Sequence, residues 1–124
     1  MGPNAGGGGM SVSTDFRADL VKIMPGYSWT VHKSTNPQRI TATGIQSSGF
    51  NRLSTLQVTR IDGDGWGLSY EVKSASHGTK SPWVHTNRNH TLARALRGLQ
   101  DHYTAMANTY SSLAARLQSG RQAP

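Results

Sequence analysis

The 124-residue sequence predicts an α+β domain: a short N-terminal helix, a four- or five-stranded antiparallel meander and a long C-terminal helix, in the order α-β-β-β-β-α. Three observations carry that prediction. Leu92, Leu96, Leu99, Tyr103, Met106, Tyr110, Leu113 and Leu117 recur at alternating steps of 4 and 3, so they line one face of a continuous helix. Upstream, runs of alternating or β-branched residues are separated by turn formers, which is the pattern of a strand meander. The strands then have one apolar face to cover, and the helical stripe supplies the cover.

The elements follow in order. Residues 1–10, rich in glycine, read as a flexible leader or cloning scar; residues 11–120 form one domain, and 121–124 a tail. Ser13 or Thr14 can cap a first helix through about Met24, with Asp15 and Asp19 complementing its dipole and Phe16, Leu20 and Ile23 (or Met24) on its buried face. Pro25-Gly26 ends it. Tyr27 to Lys33 alternates as a half-buried strand, and Arg39 to Ile45 is a second, broken by Gln46-Ser47-Ser48-Gly49. Leu53 to Ile61 and Trp66 to Lys73 make the third and fourth, joined by a tight Asp62-Gly63-Asp64-Gly65 hairpin. In the fourth, Trp66, Leu68, Tyr70 and Val72 share one face and are expected in the core.

The seventeen residues from Ser74 to His90 have no period, which predicts a short extra strand around Trp83-Val84-His85 or a functional loop. The last helix runs from Asn89 to about Gln118, with N-cap candidates in Asn87 to Thr91, a weak point at Gly98 and a stop at Gly120. About 25 helical residues span close to 40 Å, longer than a strand, so the half beyond Tyr103 is expected to overhang the sheet. Tyr110, Leu113 and Leu117 are then candidates for a partner or homodimer contact.

Charge and composition narrow the function. Thirteen Lys and Arg against six acids give a net charge of +7, which favours nucleic acid or an acidic protein surface as partner. There is no cysteine, hence no disulfide, thiolate nucleophile or cysteine-ligated metal, and a cytoplasmic home is the simplest reading. No apolar run reaches the ~20 residues of a membrane span.

Materials for catalysis are few. Asp15 and Asp19 read as helix-start residues, Asp62 and Asp64 as turn residues, and only Glu71 and Asp101 remain, so neither an enzyme nor a cofactor is expected. His85 and His90, with His77 and His102 more distant, are the conceivable metal ligands, but lone histidines in a polar loop are more often hydrogen-bonded. Thr30, His32, Thr41, Thr43, Gln57, Thr59 and Lys73 make the other sheet face polar without aromatics, which argues against single strands stacked there.

The element order resembles the double-stranded RNA-binding domain, which touches phosphates from the loop before its last helix and from that helix's first turns. The resemblance is one of layout, and implies a contact set of Lys73, His77, Lys80, Arg88, Arg94 and Arg97, with Trp83 available to stack. That family's paired lysines are replaced here by His90-Thr91-Leu92-Ala93-Arg94, and the helix is about twice as long. The stretches Met24 to His32, Ala42 to Phe50 and Thr91 to Gln100 also resemble small proteins of actinobacterial phages. That resemblance implies action in a bacterial host cell, on nucleic acid or on a host protein. The first expectation is therefore phosphate-driven DNA or RNA binding from the 73–97 region; the alternative is a protein-protein effector working through the last helix.

Overall fold

The computed structural model describes residues 8–63, 65–75 and 83–122, so His77 and Lys80 lie outside the described residues. Helix α1 (Gly8–Ile23) is followed by strands β1 (Ser28–Val31), β2 (Arg39–Ser48), β3 (Asn51–Ile61), β4 (Ser69–Ala75) and β5 (His85–Asn89), and by helix α2 (Leu92–Gln122). The five strands form one antiparallel sheet in chain order, β1-β2-β3-β4-β5. This is the α+β meander with a long final helix that the sequence predicts.

Several boundaries move, each for a local reason. α1 starts at Gly8, so Ser13 and Thr14 lie within it rather than capping it. β2 continues through Gln46 to Ser48 because a bulge between Gln46 and Ser47 resets its pairing with β3, and Gly49, at φ 60°, makes the turn. The β3–β4 connection is longer than a tight hairpin. Ile61 pairs with Ser69, and Gly63, Gly65 and Gly67 have φ of 96°, 88° and 77°. Those left-handed turns take Trp66 and Leu68 out of the strand, so they are exposed rather than core. The extra strand begins at His85 and takes up Asn87 to Asn89, leaving Thr91, whose Oγ1 accepts from the Arg94 N–H at 3.2 Å, as the cap of α2. α2 passes through Gly120 without stopping.

Both helices cover the same sheet face. Trp29, Ile40, Ala42, Leu56, Val58 and Val72 point toward Phe16 and Leu20 of α1 and toward Leu92, Ala95, Leu96 and Leu99 of α2. Trp29 is the hinge of this arrangement. Its indole lies flat on Gly44 of β2, its N–H donates to the Met24 carbonyl at 3.1 Å, and its own carbonyl accepts from Arg17 at 3.1 Å. Strand alternation sends Thr41, Thr59, Glu71, Lys73 and Arg88 to the opposite face, which neither helix covers.

Candidate functional site

Sheet geometry decides which of the sequence-predicted residues can act together. Val72 and Ser74 of β4 face α2, so Lys73 between them faces away; Arg88, paired opposite Glu71, faces away too. Arg94 and Arg97 stand on the exposed side of α2, on the other side of the sheet. Four cations that are close in sequence thus fall into two pairs with the sheet between them.

The open-face pair is already engaged. The Lys73 ammonium lies 3.9 Å from the Glu71 carboxylate, a surface contact worth about 0–1 kcal/mol. Arg88 donates from Nε to the Ser69 hydroxyl at 2.9 Å, and its guanidinium sits 4.5 Å above the Trp66 ring. On the same indole packs His90, with centroids 4.2 Å apart, and the His90 Nδ1 is 3.0 Å from the Leu68 carbonyl oxygen. This corner of Trp66, Arg88 and His90 was hidden in the sequence because the alternation from Trp66 to Val72 reads as one strand. Trp83 is exposed before β5, with Val84 beside it already bonded through its N–H to the Ser74 carbonyl.

The histidines separate in the same way. His85 of β5 and His102 of α2 stack at 3.5 Å between centroids and 8° between planes, with Tyr103 edge-on to both. Imidazole lone pairs lie in the ring plane, so two parallel rings direct theirs side by side rather than at a common point. Among the described residues no group of three metal-ligating side chains is found. Tyr103 in turn shares a hydrogen bond with the Ser74 hydroxyl, tying α2 to β4.

The partner-contact candidates are placed differently. α2 is 31 residues long, roughly 46 Å at 1.5 Å per residue, and its buried positions end at Leu99, with Tyr103 packed at the edge of the core. Beyond that, Tyr110, Leu113 and Leu117 are 62%, 51% and 72% exposed on the same stripe. Beside the packed half lies an open groove of about 670 Å³, walled by α2 from Ala93 to Ala107 on one side and by Met24 and Tyr27 on the other, with Leu56 and Leu99 among its apolar lining and Arg97 and Gln100 among its polar lining. Other exposed apolar side chains include Phe50 and Leu53 at the β2–β3 tip and Val21 and Ile23 of α1, so that Met24 rather than Ile23 packs against the core. No helix among the described residues is long and apolar enough to cross a membrane.

The chain matches no protein-family model, no curated protein and no solved structure.

Proposed function

We propose that this is a non-enzymatic binding protein whose working surface is the free half of α2, a helix that captures a protein partner in the cytoplasm. The observation that supports this most directly is the continuity of the stripe. The residues that are core up to Leu99 are followed, in the same register, by half-buried Met106 and then by exposed Tyr110, Leu113 and Leu117. Large apolar side chains aligned in water along two turns of helix carry a standing cost that a partner's apolar surface would remove. The resemblance to phage proteins adds a host protein to the possible occupants. In a pull-down, the Tyr110→Ala and Leu117→Ala variants should lose the partner while keeping the native circular dichroism, and nuclease should leave the wild-type complex intact. Retention by both variants would remove the free half of α2 from the function.

A second reading, phosphate-driven nucleic-acid binding, is favoured by one specific observation, the net charge of +7. Of the two cation pairs, Arg94 and Arg97 on the exposed side of α2 support it better, since Lys73 and Arg88 already have partners. Titration of duplex DNA, duplex RNA and single strands at two salt concentrations tests it; phosphate contacts give binding that falls steeply with salt, and no binding at low salt sinks it.

A further inference from the structure

We propose that the groove between α2 and the end of α1 is a binding site for a small amphiphile, a straight-chain carboxylate whose alkyl chain lies along the groove and whose head group is held by Arg97 and Gln100. This is a different site from the free half of α2, and the two stand or fall separately.

The groove has an apolar bed. Leu56, Leu96 and Leu99 are buried beneath it, and Ile23 and Met24 form the wall opposite α2, with Ile23 38% exposed. A volume of about 670 Å³ lies within the ~300–1,000 Å³ of small-ligand sites, which combine an apolar lining with a few polar groups in the same way. The α2 wall from Ala93 to Ala107 runs about 21 Å along the helix axis, enough to lay out an alkyl chain of medium length. An alkyl chain there would take the exposed side of Ile23 out of water.

The polar groups select the head. Tyr27, Ser74 and Tyr103 also line the groove, but their hydroxyls are already engaged: Tyr27 donates to the Ser54 hydroxyl at 2.9 Å, and Ser74 and Tyr103 share a hydrogen bond. The Arg97 guanidinium and the Gln100 amide have no partner among the described residues. Three residues apart on one helix, they are neighbours on its surface. A guanidinium offers two parallel N–H groups that match the two oxygens of a carboxylate, and the Gln100 amide can add a third donor. No acidic side chain of the chain itself is among those lining the groove. One cation beside an apolar bed is matched by one negative charge on an apolar body; a nucleic acid would answer Arg97 but leave the bed uncovered, and a cationic amphiphile would leave Arg97 unanswered.

The test is calorimetric titration of the full chain with dodecanoate below its micelle concentration, with dodecyltrimethylammonium as the counterpart of equal chain and opposite charge. Dodecanoate should bind saturably and one to one, shifting the Met24 methyl resonance, and the cation should not. Arg97→Gln should weaken dodecanoate by roughly tenfold or more, while Arg94→Gln, which removes the same charge outside the groove, should leave it nearly unchanged. Thr104→Trp fills the groove from an exposed position and should abolish binding with native circular dichroism retained. The proposal is overturned by no saturable binding up to about 1 mM, by equal weakening in Arg94→Gln and Arg97→Gln, by binding that survives Thr104→Trp, or by a response to anionic phospholipid vesicles without one to dodecanoate. Tyr110→Ala should bind dodecanoate as the wild type does whether or not it loses a captured protein, so the failure of either site is read independently of the other; dodecanoate lost in Tyr110→Ala would overturn the groove as its seat.

Discussion

Glycine at position 98 is costly by helix propensity, by roughly 1 kcal/mol against alanine. The structure supplies its reason: the Asn87 amide of β5 reaches over Gly98 to donate to the Ala95 carbonyl at 2.9 Å, and a Cβ at 98 would overlap that amide. Gly98→Ala should therefore fail to stabilise the protein, losing about 1–2 kcal/mol with the displaced hydrogen bond, whereas in an Asn87→Ala background it should stabilise. Urea denaturation of the four-member cycle measures the coupling, and additive effects would show that the two residues do not meet. Gly44 is the parallel case in the sheet, because the Trp29 ring occupies the space a side chain would need. The sequence marks Gly98 as a weak point and Tyr27 to Lys33 as a half-buried strand, but the residues that explain Gly98 and the seat of Trp29 lie on other strands. Trp66 misleads for a different reason. Its spacing matches Tyr70 and Val72, yet Gly67 reverses φ between them, and single-letter alternation carries no trace of that turn.

At the level of elements, α2 has two halves with one pattern and two environments. Leu96 is buried, so Leu96→Ala should cost about 2–5 kcal/mol in unfolding free energy. Leu117→Ala, at a position 72% exposed, should stay within about 0.5 kcal/mol under conditions where the chain is monomeric. Equal losses at both positions would mean that the free half is covered within the chain. This division was legible in the sequence through length alone, since a helix longer than a strand must run past the sheet. The position of β5 was not, because His85, Asn87 and Asn89 make a polar inward face, and His85 and Asn87 are matched to His102 and the α2 backbone rather than to an apolar stripe.

Across the whole molecule, nearness in sequence and nearness in space diverge at the cations. Lys73, Arg88, Arg94 and Arg97 lie within 25 residues of one another, and the sheet sets the first two apart from the last two. One straight duplex cannot lie against both sides, so the two double variants should not add. Lys73→Ala/Arg88→Ala or Arg94→Ala/Arg97→Ala, but not both, should flatten the salt dependence of any nucleic-acid binding, by about 0.9 in slope per lost duplex phosphate contact. Charge composition alone could not assign the pairs to faces, because a two-residue strand period has to be anchored to a known core position first.

Strand order has a consequence for how the chain finds its shape. Because β1 to β5 neighbour one another in the order of synthesis, every pairing closes a local hairpin and none waits for a crossover. Loop closure is cheap at each step, so refolding should follow a single exponential limited by assembly of the sheet rather than by a search among topologies. The free turns of α2 add no distant contact to that search, and truncation after Ala107 should leave the refolding rate of the monomer nearly unchanged.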